Sequence, residues 1–288
     1  MTLLSPAERS YLRDSLNSTP IIRPDSRSPH QFRPIEAKTS FLASSNGSAR
    51  IRLIDGSECI VSVKAKVVDL STVANNSLIE VDIDVDSFRD DSNFVTNLKF
   101  HILNSLNKIP DINKVLKLTT KYGYKLFIDV IVTTHHSSYP LTLISLATYL
   151  ALKTTRLPKL ISEVNDEEIA EQPTFSDDWA QATLIEELLD TKFQPPILLT
   201  LGIIGNNIIF DPSIEEEQII DNSLIMGVYN GKVITPINTV TSSSSEQTKG
   251  INSIVLIKAI ELGNKYGGMV VNALDTLIEQ DIDDENIF

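Results

Sequence analysis

The sequence predicts an α+β fold built of two βα layers around a buried central helix. Three observations carry this. Alternating apolar and polar residues, the period of a half-buried strand, run through 51–67 and again through 78–86. Leu141–Leu152 is apolar nearly all round, as in a helix enclosed between layers. Finally, the order of strands followed by helix recurs in the second half of the chain.

The elements follow in order. Ser5-Pro6-Ala7-Glu8 combines a hydroxyl cap, proline in the first turn and glutamate three residues after the cap, which starts a helix running to about Leu16. Four prolines within 18–34 make that stretch an extended arm. Ile51 and Leu53 then alternate with Arg50 and Arg52, and Asp55-Gly56 marks a hairpin turn. Cys59, Val61, Val63, Ala65 and Val67 share one face of the next strand, with Lys64 and Lys66 on the other. Leu78, Val81, Ile83 and Val85 form a third strand whose outer residues are Glu80, Asp82, Asp84 and Asp86. A three-stranded meander would set these carboxylates against the lysines, so the acidic ladder is read as cross-strand pairing, not as a metal site.

Phe94, Leu98, Ile102 and Leu106, spaced by four, predict a helix in which His101 packs and is not a ligand. Lys125–Val132 is a strand, and Pro140 opens the buried helix, where Ser145, Ala147, Thr148 and Ala151 permit close packing. Leu184, Ile185, Leu188 and Leu189 predict another helix. Strands over 195–202 and 208–210 flank a turn at Gly205-Asn206-Asn207, and strands over 224–228 and 232–237 flank Asn230-Gly231. Ser242–Ser245 is expected to be a flexible loop. Ile251–Tyr266 is an amphipathic helix broken or bent at Gly267-Gly268, ahead of a mobile acidic tail. The expected organisation is an N-terminal helix and arm (1–34), two halves of one domain (35–160 and 161–280) and the tail (281–288).

Composition narrows the function classes. One cysteine, Cys59, forms no internal disulfide, and four histidines with one cysteine show no metal-ligand spacing, so an intracellular, metal-free and cofactor-free chain is expected. The opening ten residues lack a leader pattern, and the apolar run at 141–152 is too short for a bilayer; a soluble chain with no membrane partner is expected. The net charge of −13 is unevenly placed: residues 1–154 hold 18 Lys/Arg against 15 Asp/Glu, and residues 155–288 hold 7 against 23. Such acidity argues against a free-standing RNA-binding module, which would normally be basic.

Two N-terminal segments and their successors carry a resemblance. "IRPDSRSPHQFRPIE" (22–36) resembles the Arg-Pro-Asp-Gly-Arg entry motif of the RNase PH family, with Ser26 in place of glycine. "NGSARIRLIDGSECIVSVKAKV" (46–67) resembles that family's following signature. "LPKLISEVND" and "GNNIIFDPSIEEEQIIDNSLIMGVYNGKVITPI" come in the family's order. The resemblance covers essentially the whole chain and is strongest to a branch serving as a ring subunit of the eukaryotic exosome. It implies the RNase PH-like fold (ribosomal protein S5 domain 2-like). The implied partners are other RNase PH-like subunits, paired with this chain and closed into a six-membered ring, OB-fold and KH cap subunits, associated catalytic nucleases, and RNA in the shared channel. The implied location is nucleus, nucleolus and cytoplasm.

Active members of the family resemble phosphorolytic exonucleases: phosphate attacks the terminal phosphodiester and releases a nucleoside diphosphate. That chemistry needs an anion seat, an arginine clamp and a carboxylate. The seat falls on His135-His136-Ser137-Ser138, where no glycine occurs between Gly123 and Gly202, Pro140 has no N–H and Tyr139 adds bulk. Ser137, Ser138 and Thr142 are left as a degenerate phosphate loop. A Ser–His nucleophile there lacks an orienting third group. In the clamp region, Arg89 is followed by Asp90 and Asp91, which offset its field, while Lys99 could still reach a phosphate. Asp211 and Asp221 fall at the acidic positions, with Glu215–Glu217 crowding between; a cap or solvated turn is the favoured reading of both. Arg23, Arg27, Arg33, Arg50, Arg52, Arg89 and Lys99 are the candidates to face RNA or a partner's carboxylates. For Arg23, Arg27 and Arg33, tethering of the arm is an equal alternative. The expectation is a non-catalytic ring subunit; the alternative is an active phosphate-dependent 3'-5' exoribonuclease.

Overall fold

A computed structural model describes residues 4–71, 78–109, 112–119, 121–134, 138–161, 173–188, 193–240 and 250–285. Helix α1 (Pro6–Asn17) begins at the Ser5/Glu8 capping box expected of it. A five-stranded sheet follows, made of β1 (Ile35–Thr39), β2 (Gly47–Leu53), β3 (Glu58–Asp69), β4 (Ile79–Val85) and β5 (Tyr122–Thr134). Helices α2 (Asn93–Leu106) and α3 (Ile112–Val115) lie between β4 and β5, and α4 (Leu141–Lys153) follows β5. Short strands β6 (Arg156–Leu157) and β7 (Thr183–Leu184) pair with each other. The second sheet comprises β8 (Ile197–Ile204), β9 (Asn207–Phe210), β10 (Asn222–Tyr229) and β11 (Lys232–Val240), with α5 (Ile214–Glu217) before β10 and α6 (Ser253–Glu285) closing the chain.

The strand order of the first sheet is β1-β2-β3-β5-β4, and of the second β11-β10-β8-β9. β1, β2 and β3 pair in sequence order, but the expected meander of β2, β3 and β4 is not formed. β5 inserts between β3 and β4, and β4 runs parallel to β5 at the edge. This corrects the pairing expected for the acidic ladder. The lysines of β3 never face β4; Glu80 pairs instead with Lys125 of β5 at 2.6 Å, and Asp82 with Lys99 of α2 at 2.5 Å. The parallel crossover makes a non-local partner win over the next strand in sequence. β1 is also a strand that the alternation at 51–67 does not announce.

Helix α4 is buried at all thirteen positions and lies between the two layers, against β2 and β3 on one side and β8 on the other. Its polar residues are satisfied where they sit. The Leu198 amide donates to Ser145 Oγ at 2.6 Å, the Thr200 amide to Thr142 Oγ1 at 3.0 Å, and Thr148 Oγ1 donates to the Ile144 carbonyl at 2.8 Å. These bonds remove the cost of burying hydroxyls and fix the register of helix on strand. One apolar cluster continues through both layers, from Ile51 and Val61 across Ile144 and Leu150 to Leu199 and Met226.

Three expectations for the second half change. Residues 184–188 form the end of β7 and a 3-10 turn, not an α-helix. Helix α6 continues through Gly267-Gly268. A Cβ at Gly267 would lie 2.7 Å from Val228 Cγ2, so the glycine allows close approach to β10 and does not break the helix. The acidic end starts within this helix, where Asp281 Oδ2 accepts from the Thr39 amide at 3.0 Å and from Thr39 Oγ1 at 3.1 Å; residues 286–288 lie outside the described residues. The loop expected at Ser242–Ser245 lies outside the described residues.

Candidate functional site

The site predicted from sequence is the junction of β5 and α4. Its first residues, His135, His136 and Ser137, lie outside the described residues. Ser138 is buried, and its Oγ is 3.0 Å from Arg33 Nη1, which donates to it. Thr142 is turned into the core, sharing a 2.9 Å hydroxyl–hydroxyl bond with Thr200. Pro140 is the N-cap of α4 and offers no side-chain cap. The Tyr139 amide, next to that end of the helix, donates to Glu217 Oε1 at 2.8 Å. The carboxyl group of α5 thus sits where an anion on this junction would sit.

Around it lies a buried ionic cluster assembled from the arm and the loop after β9. Arg33 grips Asp211 side-on, with Nε to Oδ2 at 2.9 Å and Nη2 to Oδ1 at 2.7 Å, and its amide adds a third bond at 2.9 Å. The same guanidinium reaches Asp55 Oδ2 at 2.7 Å. Arg23 forms a two-pronged pair with Glu216 at 2.7 Å on each prong, with both side chains fully buried. Arg23 also donates to the carbonyls of Phe210 and Asp211 at 3.0 and 3.1 Å. Arg27 joins Asp25 and donates to Asp211 Oδ2 at 3.3 Å. The planar fork of arginine suits such paired recognition of carboxylates.

The two readings of the arginine trio are thereby separated. Arg23, Arg27 and Arg33 tether the arm to the second sheet, and do not face outward toward RNA. The reading of Asp211 as a cap or solvated turn is also corrected. Its side chain is 6% exposed, and its backbone turns back at φ 46° to reach the arginines. Burial by itself would push the Asp211 carboxyl up, but Arg33 and Arg27 hold it below the usual carboxylate range. Asp221 is elsewhere. It accepts from the Gly205 amide at 3.1 Å and from Arg13 at 2.8 Å, in a recess of about 290 Å³ between α1 and the start of α6. The two acidic positions therefore do not form one carboxylate pair. Of the remaining candidates, Arg89 is highly exposed beside Asp91, Lys99 is paired with Asp82, and Arg50 pairs with Glu58 on the open face of the first sheet, where Arg52 also lies.

Glu217 belongs to the Glu215–Glu217 run, which in sequence crowds the acidic positions without showing which of its carboxylates turns inward. Burial raises its carboxyl to about 7, and Asp211 and Glu216 push the same way against the Tyr139 amide and Arg33. The sign follows directly. A carboxyl whose folded pKa lies above its unfolded value weakens folding as pH rises from about 4.5 to about 7, and the penalty is complete above that. Glu217→Gln keeps an acceptor for Tyr139 and removes the ionisation. We expect it to raise stability by about 1–2 kcal/mol at pH 8, discounted for partial exposure, and by little at pH 4.5. Urea unfolding of both proteins at the two pH values checks this; an equal effect at both would refute it.

Two layers flanking a buried helix, with a β5–α4 junction facing an acidic loop, define an RNase PH-type scaffold. Solved structures of that class overlay on the chain. An archaeal exosome core subunit aligns with a TM-score of 0.67 at 17% identity over 93% of this chain and 96% of that one. Rice Rrp46 aligns with 0.62 at 16% over 89% and 100%. The 3' exoribonuclease family, domain 2, matches residues 194–265. The exosome complex component RRP42 of Saccharomyces cerevisiae is 45% identical over 277 residues, spanning 95% of this chain and 99% of its own. That of Schizosaccharomyces pombe is 28% identical, spanning 96% and 95%. The chain belongs to the Rrp42 family of exosome components.

Proposed function

We propose that the chain is a non-catalytic, RNase PH-like subunit of the exosome core ring. It supports 3'-5' RNA processing and degradation, in rRNA maturation and mRNA turnover, by forming part of the channel wall through which RNA passes. Its neighbours are other RNase PH-like subunits, under OB-fold and KH cap subunits, with catalytic nucleases supplied from outside the ring. We place it in nucleus, nucleolus and cytoplasm.

The observation that carries the non-catalytic reading is the internal neutralisation of the anion seat. Glu217 takes the Tyr139 amide, and the Arg33 guanidinium is shared among Asp211, Asp55 and Ser138. An incoming phosphate would have to displace carboxylates already paired in a low-dielectric cluster, and would meet Glu216 and Asp211 beyond them. The family's two acidic positions are split between two places: Asp211 is committed to Arg33 and Arg27, and Asp221 to Arg13 and the Gly205 amide.

The test is phosphorolysis by the assembled complex on single-stranded RNA. Release of nucleoside diphosphates should show no dependence on phosphate attributable to this chain. Phosphate-stimulated release that disappears in Asp221→Ala or Arg89→Ala, with assembly intact, would overturn the reading. Ring membership is tested separately by affinity purification with mass spectrometry: paralogous subunits should be recovered in equal amounts.

A further inference from the structure

Among the described residues, no helix packs on the outward face of the first sheet. α4 covers the inner sides of β2, β3 and β5, and α2 meets β4. The strand register shows what lies on the open side. Lys66 stands directly opposite Lys125, and Lys38 directly opposite Arg50. Like charges facing each other across an antiparallel pair are destabilising, and here they occur twice on one face. Lys125 is relieved by Glu80 and Arg50 by Glu58. Arg52 stands directly between Glu36 and Glu58. Lys38, Lys64 and Lys66 make no ion pair among the described residues, and all three are exposed.

An apolar strip lies beside these cations. Ile60 of β3 pairs with Ile131 of β5, which is 45% exposed. The only ring nearby on β5, Phe127, opposes Lys64 and already has the Lys125 ammonium 5.0 Å from its centroid. A single-stranded nucleic acid binds such a sheet by stacking bases on free aromatic faces. Among the described residues this face offers no further ring, and Glu80, Asp82 and Asp84 line its far edge, where they would repel a phosphate backbone. A protein segment needs no aromatic platform and can lay aliphatic side chains on the strip. Asp129, opposite Ser62 on the same face, and the β4 carboxylates confine a partner's acidic groups to the ends of the face that hold the unpaired lysines.

We propose that the open face of the first sheet docks an acidic protein segment that lays an aliphatic side chain on Ile60 and Ile131 and its carboxylates on Lys38, Lys64 and Lys66. Electrostatic complementarity of this kind sets register and partner choice, since a basic segment would be rejected by the same cations. The acidic β4 edge fixes the orientation by turning the partner's acidic end away from it.

The test is zero-length carbodiimide crosslinking of the affinity-purified complex, which joins lysine amines only to carboxylates in ion-pair contact. Lys64 and Lys66 should couple to Asp or Glu of one sequenced segment on another polypeptide. Lys64→Glu with Lys66→Glu should lower recovery of that polypeptide at least tenfold while paralogous ring subunits and the thermal midpoint stay unchanged. Co-purification of the paralogues without such crosslinks overturns the docking surface and leaves the ring assignment standing. So does unchanged recovery in the double variant, or ultraviolet crosslinking of this face to RNA. If no paralogue is recovered, the ring assignment falls, and the isolated chain decides. A labelled Glu/Leu-alternating peptide should then bind in fluorescence anisotropy, at least fivefold more weakly to the double variant; no binding, or stronger binding of oligoadenylate, overturns it.

Discussion

Glu216→Ala should destabilise the protein by about 3–5 kcal/mol, the range seen when one partner of a buried ion pair is removed and the other stays. Glu216 is fully buried, takes both prongs of Arg23 at 2.7 Å and also accepts from the Ser213 amide at 2.8 Å. Its loss strands a guanidinium with no route to solvent, since the Arg23 side chain is fully buried too. Equilibrium urea unfolding gives the number. A double variant, Arg23→Met with Glu216→Leu, should recover most of the loss, because removing both charges removes the uncompensated one. If the single variant costs under 1 kcal/mol, the cluster is not the seal between arm and second sheet that its geometry describes.

Gly47→Ala should be comparably damaging, for a steric reason. Gly47 begins β2 where the strand crosses the C-terminal end of α4. A Cβ there would lie 2.6 Å from the Ala151 carbonyl oxygen, 2.4 Å from Thr155 Oγ1 and 2.7 Å from Thr155 Cα. Two of those atoms are backbone, so a rotamer change cannot relieve the overlap. Strand and helix must separate, and Ala49 and Ile51 on the same strand lose their packing on α4 with them. Overpacking of this kind costs about 1–3 kcal/mol, and more where backbone has to move. We expect about 3 kcal/mol or above, read as a thermal midpoint lowered by several degrees. Gly231→Ala is the contrast: nothing lies within 4 Å of its Cβ position, so any loss there reflects its φ of 70° alone.

Those two sites also mark what the sequence made legible. The buried helix was readable because a run apolar on every side has no amphipathic alternative, and all its positions are indeed enclosed. The hairpins at Asp55-Gly56 and Asn230-Gly231 were readable because their turn residues are local signals, and both glycines do take positive φ. The place of β4 was not, because its alternation fixes a face but not a neighbour; the parallel pairing with β5 depends on a strand some forty residues later. Gly267 misled because a glycine in a helix is read by propensity, while here its use is contact with Val228. At the site, the missing glycines mark the phosphate loop as degenerate in sequence, while His135, His136 and Ser137 lie outside the described residues. The role of Glu217 was hidden, since three consecutive glutamates look solvated until the fold shows two of them turned inward. The one available signal was Ser213 three residues before Glu216, a helix-start spacing that points that carboxylate back toward the chain.

The arm carries a consequence in time. Arg23 and its partner Glu216 are separated by 193 positions. At a synthesis rate of about 5–20 residues per second, roughly 10–40 s pass between the emergence of the one and the manufacture of the other. Throughout that interval three arginines destined for a sealed interior remain hydrated on the growing polypeptide. The arm, though made well before the second sheet, is among the last pieces to be closed in.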